Sequence, residues 1–497
     1  MKNYFKKRIT LFNTISNLIL QIITIISGFI IPKIILSYFG SEVNGLVSSL
    51  NQFLSYISLI EGGITGVLMA NLYKPLYEKN EEKINSIVNA ANHFYKKISI
   101  IFIGYSIILA LIYPIIFNQN FSYLYVVSLT IILSISLFAQ YCFSLTLKTL
   151  LSADKKIYIV ALTQSSILIA NIILSIISVK IYPSIHLLKL ITGLLYLLQP
   201  IMYNYFVKKK YNINKKNKID IKMLKSRWDG FAVNIASFIH FSTDITILTL
   251  FTDLKTVSIY SVYSLVTTGL RNIISSISSA ITPTIGHLYV NGNTNELKKK
   301  FDSYEYIMFV IVYLVFSISA LLIVPFVIIY TKNISDTNYN QPIFGTLLII
   351  SEGIYLIKTS HLNLSYSANK FKDIALSCYI EATINIIVSL IFINKYGLIG
   401  VTIGTICGMT YRMIYHVYFT TKELIDRPQF MFYGKLITFT ITTIVGAIIC
   451  KLFISPIKYT IISWCYHGLI YFIVFSLLYI TMSLVFYKNE IKKIVNK

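Results

Sequence analysis

Eight charged side chains fall inside stretches that are otherwise almost wholly apolar: Lys33, Glu61, Asp244, Arg271, Glu352, Lys358, Glu381 and Arg412. Each costs about 2.5 to 3.5 kcal/mol to place at the centre of a lipid-embedded helix. Eight lipid-facing charges would together exceed a typical net stability of about 5 to 15 kcal/mol. Most of them must therefore face a partner or a wet cavity. The chemistry open to them there is the binding of charged headgroups and the exchange of ions or protons.

Arg271 stands out by its neighbours. Ser264, Thr267, Thr268, Arg271, Ser275, Ser278 and Thr282 recur at the spacing of one helical face, so they form a polar stripe with a guanidinium near its middle. A guanidinium suits phosphate, because its planar fork donates two parallel hydrogen bonds and stays charged. The alternative is a structural ion pair to Asp244 or Glu61. His240 and Asp244 sit one turn apart on a single face. They form either a proton-exchanging pair suited to ion coupling or a packing hydrogen bond. Lys358 and His361, three residues apart, make a second basic patch. Lys33 lies near the outer end of its stretch and is placed to snorkel. Arg412 either lines a cavity or snorkels. Glu61, Glu352 and Glu381 are candidate countercharges or cation sites.

The elements that carry these residues are helices. Hydrophobic residues make up 55% of the 497 and charged residues 13%, against about 25% charged in a soluble domain. About fourteen apolar stretches, from 11–36 to 460–486, are long enough to cross a bilayer core of about 20 residues. This predicts an all-α polytopic membrane protein. MKNYFKKR before the first stretch resembles a secretory leader, but no small-residue cleavage site follows, so it reads as an uncleaved first span.

A basic run, Lys208 to Arg227, has nine Lys/Arg against one Asp. With both termini on its side, the loops of that face hold 33 Lys/Arg and the opposite loops 7. This asymmetry predicts cytoplasmic termini. It also accounts for the formal charge of +24 without any nucleic-acid partner. The five cysteines have no paired spacing and suggest neither disulfides nor a metal site; no cofactor is implied.

The halves repeat. Leu151-Ser152-Ala153-Asp154-Lys155 matches Tyr366-Ser367-Ala368-Asn369-Lys370 at an offset of 215, and Asn171-Ile172-Ile173-Leu174-Ser175 matches Asn385-Ile386-Ile387-Val388-Ser389 at 214. This predicts two pseudo-symmetric six-helix lobes, 1–207 and 230–421, joined by a basic linker at 208–229 and followed by two further helices within 422–497. A glycine face at Gly397, Gly400, Gly404 and Gly408 predicts close helix packing.

The segments ISGFIIPKIILSYFGSEVNGLVSSLNQFLSYISLIEGGI, NQPIFGTLLIISEGIYL and KYGLIGVTIGTICGMTYRMIYHVY resemble the polysaccharide exporters and O-antigen flippases of the multidrug/oligosaccharidyl-lipid/polysaccharide superfamily. The resemblance implies a transporter rather than an enzyme. It implies a multi-pass protein of a bacterial cytoplasmic membrane that moves an undecaprenyl-pyrophosphate-linked oligosaccharide from the cytoplasmic to the outer leaflet by alternating access. Its implied partners are that lipid-linked oligosaccharide and membrane lipids, with a polysaccharide polymerase or glycosyltransferases as candidate neighbours. Cavity arginines known in related flippases carry to Arg271 and, less directly, to Lys33; Lys358 and Arg412 complete the expected pyrophosphate-binding set. An ion-coupled drug antiporter of the same superfamily is the alternative. A polysaccharide polymerase fits less well, because every expected outer loop is short, the longest at about 331–341.

Overall fold

A computed structural model describes residues 2–61, 64–117, 120–213 and 231–495. Most of the basic linker, together with Gly62 and Gly63, lies outside the described residues. The described residues form helices and turns, and they divide into two compact units, Met1–Ile235 and Ala236–Lys497.

The first unit begins with α1 (Lys2–Ser55), whose two helical parts meet at Gly40 with φ 82°. Only glycine adopts that backbone without a Cβ penalty, so one residue makes the break expected between the first two spans. Next come α2 (Ser58–Glu61), α3 (Ile64–Glu78) and α4 (Glu81–Ile116). The side chain of Asn80 caps α4 by accepting the amide of Lys83 at 3.0 Å. α5 (Tyr123–Ala139) runs through a π-helical turn, Gln140–Ser144, into α6 (Leu145–Ala153), and α7 (Ile157–Ile181) and α8 (Ile185–Lys210) complete the unit. α7 packs against α1 and α8, and α5 against α4 and α8.

The second unit takes in α9 (Phe231–Phe251) from Ala236 onward. It continues with α10 (Leu254–Val290), α11 (Thr294–Tyr330), α12 (Pro342–Ile357), α13 (Thr359–Ser367), α14 (Phe371–Tyr396), α15 (Leu398–Phe419), α16 (Phe430–Phe453), α17 (Ile461–Phe486) and the short α18 (Lys488–Val495). Eleven helices among the described residues are long and apolar enough to cross a membrane. α10 has the length, at 37 residues, but its serines, threonines and arginine dilute its apolar character. α1 holds two of the expected spans on either side of Gly40. Large apolar side chains remain exposed along these helices, as at Ile100, Ile107 and Leu111 on α4 and Leu469, Ile473 and Leu477 on α17. Water does not tolerate such continuous apolar surface, whereas lipid does, and the chain is a multi-pass membrane protein.

The internal repeat is visible in backbone detail. After α6 the chain turns through Lys155 at φ 60°, and after α13 through Asn369 at φ 55°. The same three amide bonds close both turns, with Lys156 N donating to Leu151 O and Lys370 N to Ser365 O. The structural offset is therefore 214, one residue less than the sequence match across that turn suggests. Likewise Lys79 at φ 55° precedes the cap Asn80, and Gly292 at φ 68° precedes the cap Asn293.

α14 and α15 pack closely. A Cβ at Gly400 would stand 2.5 Å from the Phe392 carbonyl oxygen, and one at Gly408 2.9 Å from that of Glu381. The glycine face is thus a backbone-to-backbone contact. α16 and α17 dock on α11, where Tyr313 Oη meets Thr440 Oγ1 at 2.7 Å and Ser317 Oγ meets Tyr479 Oη at 2.7 Å.

Candidate functional site

The site is built within the second unit by α9, α10, α12 and α15. Asp253 starts α10 by accepting the Thr256 amide at 2.8 Å. The first half of the polar stripe, Ser264 to Arg271, then lines a cavity of about 140 Å³. Asp244 of α9, Ser351 and Glu352 of α12 and Thr405 of α15 form its other walls.

Arg271 Nη1 donates to Glu352 Oε1 at 2.6 Å and Nη2 to Thr268 Oγ1 at 3.1 Å. The two charged side chains keep 17% and 11% of their surface exposed, so the pair edges the cavity rather than being sealed in packing. Glu352 Oε2 has no hydrogen-bond partner among the described residues. The structural partner of Arg271 is therefore Glu352, one of the expected countercharges, and not Asp244 or Glu61.

Asp244 is held by hydroxyls. Tyr260 Oη donates to its Oδ2 at 2.8 Å, and Thr405 Oγ1 lies 3.0 Å from both carboxylate oxygens. Asn385 Nδ2 in turn donates to Thr405 Oγ1 at 3.1 Å. Hydroxyls orient a carboxylate without neutralising its charge. The repeat explains part of this arrangement. Thr192 Oγ1 donates to Asn171 Oδ1 at 2.8 Å in the first unit, the counterpart of Thr405 with Asn385, but apolar Ile30 and Ile31 stand where the repeat offset would place Asp244. The side chain of His240, the expected neighbour of Asp244, lies outside the described residues.

Lys358 and Arg412 lie apart from this site. Neither lines this cavity. Arg412 Nη1 binds Glu381 Oε2 at 2.5 Å with both side chains 1% exposed, a pair sealed inside the helix packing with Arg412 Nη2 left without a hydrogen bond among the described residues. Lys358 sits fully buried at the junction of α12 and α13, its Nζ without a hydrogen bond and 4.1 Å from the centroid of the Tyr355 ring, a cation–π contact. His361 does not join Lys358 in a basic patch, because its Nε2 meets Glu305 Oε2 at 2.8 Å and its Nδ1 meets Thr420 Oγ1 at 2.5 Å. In the first unit, Lys33 is half-buried on α1, while Glu61 accepts from Thr65 and, at 3.3 Å, from Tyr95 Oη.

Glu305, Tyr260 and Thr405 were not singled out in the sequence. The carboxylate of Glu305 is wholly buried and receives Arg427 through two bonds, at 2.7 and 2.8 Å, and Lys435 Nζ at 2.8 Å. Arg427 Nε also lies 2.9 Å from Asp302 Oδ1. This knot of charge ties α16 and the turn before it to α11 and α13. The only signal for it in the sequence is that an acidic residue stands at the very edge of an apolar stretch.

The fold is shared with solved structures of a lipid II flippase and of MATE transporters. A solved structure described as lipid II flippase MurJ in an inward closed conformation is similar with a TM-score of 0.74 and 18% identity, covering 97% of this chain and 100% of that one. An inward-facing multidrug resistance MATE family transporter is similar at 0.62 and 16% identity, over 80% of this chain and 94% of that one. The eukaryotic MATE transporter AtDTX14 follows at 0.57 and 15%, over 86% and 95%. These neighbours are transporters and a flippase. No family of known sequences matches the chain, nor does any curated protein.

Proposed function

We propose that the protein is a flippase that carries an undecaprenyl-pyrophosphate-linked oligosaccharide from the cytoplasmic to the outer leaflet of a bacterial cytoplasmic membrane by alternating access. The observation that carries this reading is Arg271: a guanidinium midway along a membrane helix, edging a cavity and paired with the Glu352 carboxylate. A pyrophosphate arriving at that fork replaces one anionic partner with a stronger, multidentate one. The lipid tail stays in the bilayer, so the protein has to neutralise only the headgroup. Likeness to a lipid II flippase along the whole chain supports a lipid-linked cargo. Asp244 is the proposed ion-coupling group.

Asp244 also favours a second reading, since a hydroxyl-held carboxylate on a cavity wall suits an ion-coupled drug antiporter, and two MATE transporters share the fold. A reconstituted leaflet-transfer assay separates the two. With a polyprenyl-pyrophosphate oligosaccharide, Arg271→Ala lowers transfer by about tenfold or more, the worth of a charge-assisted bond of about 1.5 to 3 kcal/mol. Arg271→Gln with Glu352→Gln keeps the site neutral and shows the same loss without a stranded charge. Unchanged transfer in both variants, at equal expression, overturns the reading.

A further inference from the structure

The polar stripe of α10 serves two cavities, not one. Beyond Arg271, Ser278 turns inward and is buried, meeting Tyr304 Oη at 2.5 Å. Past this plug, Ser279, Thr282 and Gly286 face a second opening of about 710 Å³ between α10 and α13, a size typical of small-molecule sites. Among the described residues no Lys, Arg, Asp or Glu lines it, although the chain has 44 Lys/Arg and three of them, Lys298, Lys299 and Lys300, follow shortly after on α11.

The wall is organised. Asn363 Nδ2 lies 2.9 Å from Ser278 Oγ, 3.0 Å from Thr282 Oγ1 and 2.9 Å from Tyr304 Oη. These bonds fix the amide and leave its Oδ1 without a partner among the described residues. Ser367 Oγ likewise has no protein partner there. Gly286 lets α10 and α13 approach closely at the edge of the opening, since a Cβ at that position would come within 3.2 Å of Ser367. A fixed carbonyl acceptor, an unused hydroxyl and hydroxyls whose protons are already spent on the backbone, such as Ser279 Oγ to Ser275 O at 2.8 Å, suit a neutral ligand rich in hydroxyl groups. The one imidazole on the wall, His287, meets Asn291 Nδ2 through its Nδ1 at 3.0 Å, and no carboxylate, ammonium or guanidinium among the described residues faces the opening.

From this we infer a sugar-binding subsite at Asn363, Ser367 and Ser279, taking the distal sugars of the lipid-linked oligosaccharide while Arg271 takes its phosphates. Eleven residues of helix separate Arg271 from Thr282, about 16 Å at 1.5 Å per residue. One helix thus displays a charged station and an uncharged one, the pattern of a ligand with an ionic and a neutral part. The inference rests on the flippase reading.

The test measures binding of two probes to the full chain in nanodiscs: a polyprenyl pyrophosphate, and the same lipid bearing a tetrasaccharide. Wild type is expected to prefer the glycosylated lipid. Asn363→Ala and the cavity-filling Ser367→Phe weaken binding of the glycosylated lipid about threefold to tenfold, the worth of one or two neutral hydrogen bonds, and leave the bare lipid unaffected. Arg271→Ala weakens both. The free tetrasaccharide competing as well as the lipid-linked form would identify a soluble sugar as the ligand and overturn the subsite as part of the lipid's path. Equal binding of the two lipids by wild type, or equal loss of both in Ser367→Phe, overturns the subsite while the phosphate station stands. Binding of neither lipid overturns the flippase reading and the subsite with it.

Discussion

A carboxylate with no exposed surface, Glu305 gathers an arginine fork, a lysine and an imidazole from segments that all follow it in the chain. Its geometry predicts a stability role. Glu305→Gln keeps the shape but strands two buried cations, and the cost of breaking such a pair is about 3 to 5 kcal/mol. Thermal unfolding in detergent should show a clear drop for Glu305→Gln, and pairing it with Lys435→Met should recover part of it; no drop would mean the cluster is screened by water. The contrast with Arg271 shows what a chain discloses of its own chemistry. Arg271 was legible because its company lies on one helix, within a few turns. Glu305 was not, because Arg427 and Lys435 come 122 and 130 residues later, and no periodicity links them. The same distance hid Glu352 as the partner of Arg271, 81 residues away, although both were singled out. Burial misled in the opposite sense for Arg412: composition shows that a charge lies within a span, but not whether water reaches it.

At the scale of helices, the contact between α14 and α15 positions chemistry as well as packing. Asn385 and Thr405 lie on its two sides, and Thr405 reaches Asp244. Gly408→Val drives a side chain toward the Glu381 carbonyl and forces the helices apart. Overpacking of this kind costs about 1 to 3 kcal/mol, and here it also loosens the hydroxyl cage around Asp244. Gly269→Ala on α10 makes the opposite case, since nothing lies within 4 Å of the added methyl and alanine favours a helix by about 0.8 to 1.0 kcal/mol. The two variants should shift the unfolding temperature in opposite directions; a drop of equal size in both would mean the glycine spacing has no specific packing role. The helices themselves were readable from hydropathy, with two limits. Hydropathy places the break between the first two spans only to within several residues, whereas the backbone puts it at Gly40. It also stops short of helix ends that run on into polar sequence, as α4 does from Glu81.

For the whole molecule, direction of transport follows from which face holds the positive loops, and that is a matter of insertion rather than of packing. The lysines after α10 and those of the C-terminal α18 belong to the heavily basic face, whereas the loop from Thr331 to Gln341 between α11 and α12 belongs to the sparse one. Positive loops stay on the cytoplasmic side, so Ser335 and Lys488, both exposed, must lie across the membrane from each other. In a cysteine-free background, Ser335→Cys should react with a membrane-impermeant maleimide in intact cells, and Lys488→Cys only after the cells are opened. The reverse pattern would place the opening beside Gly286 on the outer face. The proposed sugar station would then meet the cargo at release rather than at entry, and the assignment of cytoplasmic loading would fall.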